Sequence, residues 1–294
     1  MQIARDKELF PKKVTKTELA ASLGVSRSSL YYQPKRPALD LEMKSQIESV
    51  LIDYPSYGHK RIAIELKLNK KRIRRVMKKF NLKPYRRRSK KPYKKDDLNK
   101  PPTKYQNLIK YFCPIRPNIV WVSDFTYIEF QGRFIYLATV IDLFTREIIG
   151  WNISRFHNKE LVIGALLNAL SKTKNPPLYI HSDQGSEYDA ADYEKLCGSN
   201  GIRISMSKKA CPGENAFQES FYSTFKLDLG RVDQFETLGE LIEALHLQIH
   251  KYNNKRIHTT LKMSPKQFRE QYIKRTINRT DEKVRTTLSN QMGT

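Results

Sequence analysis

The chain has 294 residues, of which 39% are hydrophobic and 11% aromatic, enough for one large core and one or two small modules. Its longest apolar stretch, residues 161–170, is too short for a bilayer span of about 20 residues, and no apolar signal segment is evident, so we expect a cytoplasmic protein with no membrane partner. The three cysteines are scattered, which excludes an encoded disulfide framework or zinc module.

Positive charge is concentrated in the first part of the chain. The net charge is +24; residues 1–120 hold 31 Lys and Arg against 10 Asp and Glu, and residues 121–294 hold 23 against 20. Such a clustered excess attracts polyanions, so it predicts nucleic-acid binding by the front of the chain. A solvated charged surface is the alternative.

Residues 1–36 are predicted to form a short helix-turn-helix-like segment. Residues 15–32 contain an amphipathic helix, Gly24 as a turn, and Ser26 as the cap of a second helix, before Pro34 and Pro37 end the unit. An ordinary helical hairpin without DNA contact remains the alternative.

A helix-turn-helix module is predicted over residues 37–82, with helices at 41–52, 60–66 and 70–80 and Asn69 as the last cap. In the last helix Ile73, Val76, Met77 and Phe80 form an apolar stripe. The remaining surface is basic and suits phosphates or a major groove. The predicted DNA-binding side chains there are Lys70, Lys71, Arg72, Arg74, Arg75 and Lys78.

Residues 83–112 combine prolines and cations with little apolar surface. This composition predicts an extended linker that is ordered mainly against a polyanion, with Arg86, Arg87 and Arg88 as DNA contacts. A nuclear localisation signal is a competing interpretation of such a basic run.

An α/β core is predicted over residues 113–275, followed by a tail at 276–294. Strand-like runs at 119–128, 134–141 and 147–153 predict an antiparallel meander. Strands and helices then alternate, as in a mixed sheet: helix 159–172, strand 178–181, helix 190–197 and strand 202–206. Further helices are predicted at 214–229 and 238–252, with a short one near 265–272.

Three acidic residues stand out in this core. Asp124 lies in an apolar strand, where an unpaired carboxylate is costly to bury; Asp183 follows the fourth strand; and Glu219 lies in the helix at 214–229, with 35 residues between it and Asp183. Asn215, Glu219 and Lys226 share one face of that helix, which would turn Lys226 toward a DNA phosphate.

Clustered carboxylates repel one another unless a cation compensates them. Mg²⁺ or Mn²⁺ prefers oxygen ligands, and a pair of such ions activates a hydroxyl nucleophile and stabilises the leaving oxygen in phosphoryl displacement. Individually, Asp124 also fits a strand-end ion pair, Asp183 an Asx-turn and Glu219 a solvated helix charge.

Other polar residues are weaker candidates. Asp142 fits a turn between strands, Glu187 the mouth of the site, and His181 a role in orienting the Asp183 loop. His246 and His250 have a spacing found in zinc sites, but no third ligand is evident.

Three stretches, residues 121–127 (WVSDFTY), 181–188 (HSDQGSEY) and 214–221 (ENAFQESF), resemble the acidic motifs of integrase-like DDE transposases. The closest resemblance is to the second-frame product of the bacterial insertion sequence 3 family, whose spacing between the second acid and the glutamate is the same. Residues 57–61 (YGHKR) and 252–258 (YNNKRIH) are similar to its flanking motifs.

The resemblance implies a ribonuclease-H-like core, two Mg²⁺ or Mn²⁺ ions, cleavage at element ends and strand transfer by a 3′-hydroxyl. It places Asp124, Asp183 and Glu219 in the catalytic and metal-binding positions and Lys226 at a basic helix position. The implied partners are the terminal repeats and target DNA, further copies of the chain, and the upstream-frame product.

Two departures from the family pattern lie outside the acidic positions: Glu214 replaces a common Asp, and Ile257 replaces a common Pro. Two other functions remain open on sequence alone. One is a DNA-binding regulator that inhibits transposition without catalysis, and the other is a structure-selective nuclease of the same fold.

Overall fold

The computed structural model of the chain describes residues 15–31, 36–85, 104–207 and 216–292. The predicted DNA contacts Arg86, Arg87 and Arg88 lie outside these ranges, as do Asn215 and the third cysteine, Cys211.

The first segment contains one α-helix and one 3-10 helix. Helix α1 (Lys16–Ser22) begins at Thr15, whose side chain accepts a hydrogen bond from the Glu18 N–H while the Glu18 carboxylate accepts one from the Thr15 N–H. Gly24 turns the chain with φ of 61°. The predicted second short helix is a 3-10 helix, Arg27–Tyr31, but the Ser26 hydroxyl bonds to other serine hydroxyls and does not cap it.

Three helices form the second module: α2 (Arg36–Asp53), α3 (His59–Glu65) and α4 (Lys70–Lys79). Helix α2 begins earlier than predicted, because Pro37 lies in the first turn, where a missing N–H breaks no helical hydrogen bond. Asn69 caps α4 as predicted, accepting a 2.8 Å hydrogen bond from the Lys71 N–H. Ile73 and Val76 are fully buried in the module's apolar core.

A five-stranded mixed sheet confirms the predicted core. Its order is β3-β2-β1-β4-β5. The antiparallel meander consists of β1 (Val120–Phe130), β2 (Arg133–Asp142) and β3 (Ile148–Ser154). Strands β4 (Tyr179–Ser182) and β5 (Arg203–Met206) add in parallel beside β1.

Helices cover both faces of the sheet. Trp121 and Val140 pack against α5 (Lys159–Leu170) and α6 (Ala191–Ser199) on one face. Val122, on the other face, packs with residues of α7 (Ala216–Leu229) and α8 (Leu238–Asn254) such as Phe225 and Leu245. Because neighbouring residues of a strand point to opposite faces, the even-numbered residues of β1 face α7.

The last helix, α9 (Pro265–Met292), is much longer than the short helix predicted near residues 265–272, and it continues through the predicted tail. Gly230, with φ of 82°, follows the end of α7 as expected. Within the described ranges, no helix combines the length and apolar character needed to cross a bilayer.

Candidate active site

Strand register brings two of the predicted acids together. Val122 of β1 pairs in parallel with His181 of β4. Asp124 lies two residues further along β1, and Asp183 follows directly after the end of β4 at Ser182. The two carboxylates are close enough to interact electrostatically.

Helix α7 is attached to β1 by side chains one turn apart. Gln218 Nε2 donates to the Val122 carbonyl at 2.8 Å, Tyr222 OH to the Asp124 carbonyl at 2.6 Å, and Lys226 Nζ to the Tyr127 carbonyl at 2.6 Å. These three bonds, which we call the α7 seam, fix the helix along the strand. Glu219 follows Gln218 directly and is exposed beside the seam.

The three carboxylates interact electrostatically. Burial, followed by the negative charge of Asp183, raises the pKa of the Asp124 carboxyl to about 7. A 2.8 Å hydrogen bond from the Phe125 N–H opposes this, and Glu219 contributes a smaller upward effect. Asp124 is therefore a buried acid whose ionised form is disfavoured by two neighbouring acids.

A tight loop holds Asp183 after β4. Asp183 Oδ1 accepts a 3.2 Å hydrogen bond from the Gly185 N–H, which is the Asx-turn contact, and Gln184 Nε2 donates to the Ser207 carbonyl at 2.8 Å. Glu187 is buried beside the loop and bonds to His157 Nε2 at 2.9 Å. Asp183 thus forms the local turn and also faces Asp124.

The donor chemistry of the site fits a hard divalent cation, since carboxylate oxygens are the ligands that Mg²⁺ and Mn²⁺ prefer. The raised pKa of Asp124 is the mark of negative charge that lacks compensation. Within the described ranges, however, no three His, Cys, Asp or Glu side chains are grouped closely enough to enclose an ion. Asp124 and Asp183 bond to backbone N–H groups in this conformation.

The other predicted site residues are placed as follows. Lys226 lies over the Tyr127 ring, 4.9 Å from its centroid, beside the α7 seam. On α4, five of the six predicted side chains are exposed without a described acidic partner: Lys70, Lys71, Arg72, Arg74 and Lys78. Arg75 instead makes two hydrogen bonds to Asp40 of α2, at 2.8 and 2.5 Å. Sequence reasoning missed Asp40, although an acid among the apolar positions of α2 was an available signal.

Three weaker candidates have structural contacts. Asp142 organises a turn, as predicted, by accepting hydrogen bonds from the N–H groups of Asn118, Phe144 and Thr145 and from the Thr145 hydroxyl. His181 Nδ1 lies 2.9 Å from Ser205 Oγ beneath the Asp183 loop. His246 packs edge-on against Trp151.

Comparison with known proteins agrees with this architecture. Two families, both described as Integrase core domain, match residues 114–212 and 219–273. The transposase for insertion sequence element IS904 of Lactococcus lactis is 34% identical over 250 residues, covering 81% of this chain and 98% of that protein. Transposase InsF for insertion sequence IS3fB of Escherichia coli is 34% identical over 173 residues, covering 57% and 60%. The HTLV-2 integrase catalytic core domain, solved in complex with magnesium, aligns at 19% identity and a TM-score of 0.45, covering 53% and 98%.

The mixed sheet and the family matches define an integrase core, and they confirm the ribonuclease-H-like class predicted from sequence. Within that class, the chain belongs to the transposases of bacterial insertion sequences, as its motifs indicated.

Proposed function

We propose that this transposase is a metal-dependent polynucleotidyl transferase that cleaves DNA at element ends and joins the resulting 3′-hydroxyl to target DNA. The observation that carries the proposal is the electrostatic interaction of buried Asp124 on β1 with Asp183, which follows the adjacent strand β4, and with Glu219 of α7. Acids from three separate parts of the fold interact where burial makes the charge of Asp124 costly, which is typical of a site that acts on phosphates.

In the proposed site Asp124, Asp183 and Glu219 hold two Mg²⁺ or Mn²⁺ ions, which would supply charge neutralisation and activation of the attacking hydroxyl. The chain itself provides the geometry. The α7 seam fixes the helix that carries Glu219, and the Gly185 N–H orients Asp183. Binding of positive charge favours the ionised form of Asp124, because its neutral form is stabilised only by burial and by the neighbouring acids.

DNA is the proposed partner of the basic front. The exposed side chains of α4 provide phosphate or groove contacts, and Arg86, Arg87, Arg88 and Lys226 are further proposed DNA contacts. The proposed substrates are terminal repeats and target DNA, bound by several copies of the chain in the bacterial cytoplasm, in association with the nucleoid. The upstream-frame product is a further proposed partner.

Substitution of the acids tests the proposal. Asp183→Asn and Glu219→Gln are expected to abolish Mg²⁺- or Mn²⁺-dependent cleavage and joining of labelled element ends, because each removes a charged ligand while leaving the helical module unchanged. Both variants should bind the same DNA with nearly wild-type affinity in a gel-shift or anisotropy assay.

Asp189→Asn is the matched control, since Asp189 is an exposed acid of the same loop region and should retain activity. Unchanged strand transfer by Asp183→Asn or Glu219→Gln would reject the proposal. Binding of element ends without nicking or joining, even with the upstream-frame product present, would instead identify a regulator. Cutting of branched DNA without joining would identify a nuclease.

A further inference from the structure

Two motifs that the proposed catalysis does not use meet in the folded chain. Residues 56–61 of the helical module contact residues 256–259 after α8 through three hydrogen bonds. The Ile257 N–H donates to Tyr57 OH at 2.6 Å, Arg256 Nη2 to Ser56 Oγ at 3.1 Å, and Arg61 Nε to Thr259 Oγ1 at 2.9 Å. These contacts dock the module onto the core.

A cleft of about 390 Å³ opens beside this contact. Its wall contains three arginines from three separate regions, together with a histidine and hydroxyl groups: Arg61, Arg146, Arg256, His258, Ser220 and Thr260. We call it the arginine cleft. Phe217 and Ser220 of α7 line the cleft. Glu219 is not among its lining residues, since each of these two positions is more than a quarter turn of the helix away from Glu219.

Positive charge in the arginine cleft is only partly compensated. Arg256 is nearly buried and bonds to the buried Asp228 carboxylate at 2.6 Å. Arg61 Nε donates a hydrogen bond to Thr259 Oγ1, but the buried Arg61 Nη1 has no acceptor. The Arg146 guanidinium lies 4.2 Å from the centroid of the Phe217 ring, and no acceptor in the described part of the chain is paired with it.

A histidine in the wall of the cleft also has a polar atom without a partner. His258 Nδ1 is buried and makes no hydrogen bond. Burial, followed by the charges of Arg146, Arg256 and Arg61, lowers the pKa of His258 to about 4. The histidine is therefore neutral at physiological pH, and its ring does not add to the cleft's charge.

Two guanidinium groups that lack a direct ion-pair partner in a partly buried space are energetically costly, since Asp142 and Asp228 act on Arg146 and Arg61 only at longer range. A bound anion would reduce that cost. Guanidinium forks match phosphate oxygens in geometry as well as in charge. The cleft also adjoins the basic module. His59, two residues before Arg61, lies within the electrostatic range of Arg74, Lys60 and Lys70, so positive surface continues from α4 to the cleft.

We infer that the arginine cleft binds a phosphodiester group of the DNA backbone through Arg61 and Arg146. This inference rests on the proposed action on DNA. One bound strand would then contact the helical module and the core at the point where they dock, so DNA binding would strengthen the docking.

The test measures DNA affinity of the full chain in EDTA, without divalent cations, over a range of salt concentrations. Arg146→Gln is the first variant, because its side chain makes no described hydrogen bond that the substitution would break. Loss of one phosphate contact is expected to weaken binding and to reduce the slope of log K against log salt by about 0.9. Arg155→Gln, an exposed arginine outside the cleft, should leave the slope unchanged.

Thr260→Glu distinguishes a DNA-binding role of the arginine cleft from a purely structural one. A carboxylate at the exposed rim of the cleft pairs with the uncompensated arginines, so the melting temperature should rise while DNA affinity falls. Unchanged affinity and salt slope in both Arg146→Gln and Thr260→Glu would overturn the inference, whatever their stability. Since cleavage plays no part in this measurement, its outcome is independent of whether Asp183 and Glu219 catalyse transfer.

Discussion

At the scale of single residues, Asp124 shows which part of the site is readable from sequence. A carboxylate inside an apolar strand indicates a function, because burial without compensation is costly. The family resemblance, with its spacing between the second acid and the glutamate, then indicated Asp183 and Glu219 as the acids that accompany Asp124. Their present side-chain conformations were not predictable, since an aspartate bonds to the nearest free backbone N–H whenever one is available.

Gly185 provides a sharp test of the Asp183 loop. A Cβ added at this position would lie 2.5 Å from Glu187 Oε2 and 3.3 Å from Asp183 Oδ1, so the Glu187 carboxylate must move and the Asp183 carboxylate must shift slightly. We expect Gly185→Ala to reduce cleavage and joining of labelled ends by at least about tenfold, since displacements of this size disturb catalytic geometry. DNA binding in EDTA should be unaffected.

The matched control is Gly198→Ala, because a Cβ at Gly198 of α6 meets no atom within 4 Å. This variant should be fully active, and slightly more stable, as alanine is favoured over glycine in helices. Equal activity of the two alanine variants would show that the Asp183 loop does not need its present shape.

At the scale of elements, local patterns predicted most boundaries in the core, but not every contact between helices. Gly24 correctly predicted a turn, yet Ser26 does not cap the 3-10 helix that follows, because hydroxyl bonds among neighbouring serines compete with capping. Helix α9 was underestimated because its polar sequence lacks the apolar periodicity used to recognise helices. Asp40 was missed because its partners, Arg75 and Lys79, belong to another helix.

The Asp40 contact predicts a pH-dependent stability of the helical module. Hydrogen bonds from Arg75 and then Lys79 hold the pKa of Asp40 well below its usual range. A carboxyl group with a lower pKa in the folded state stabilises the fold above its unfolded pKa of about 4, and this contribution is lost as the pH falls further. Asp40→Asn should therefore lower the melting temperature at pH 7, and its difference from wild type should shrink below about pH 4.

Glu42→Gln is the control for this measurement, because Glu42 is exposed on the same helix and its loss changes the net charge by the same amount. Its melting temperature should follow wild type at every pH. A constant difference between Asp40→Asn and wild type from pH 7 to pH 3 would contradict the assigned role of the ion pairs.

At the scale of the whole molecule, the docking of the helical module onto the core was beyond sequence reasoning. The motifs at residues 57–61 and 252–258 were recognisable, but their contact joins side chains about 200 positions apart in the chain. Ile257 packs into the apolar cluster of the helical module, so the two parts share buried surface. The arginine cleft arises only from this arrangement, since Arg61 and Arg146 belong to different parts of the chain and meet only when the module is docked.

Arg256 connects the helical module with the core, and substitution of its ion-pair partner Asp228 tests this docking. The guanidinium bonds to Asp228 at the end of α7 and to Ser56 of the helical module, with both charged groups nearly buried. Asp228→Asn leaves a buried arginine without its counter-charge, which typically costs about 3–5 kcal/mol. Chemical denaturation should show this loss, whereas Asp233→Asn, which breaks an exposed pair with Arg231, should cost less than about 1 kcal/mol.

Both tryptophans, Trp121 and Trp151, lie in the core, so their fluorescence reports unfolding of the core, while far-UV circular dichroism also reports unfolding of the helical module. We expect the two signals to coincide in wild type and to separate in Asp228→Asn, because loss of the counter-charge weakens the Arg256 contact that couples the helical module to the core. Coincident, unshifted transitions in the variant would show that the Arg256 contacts do not couple the module to the core.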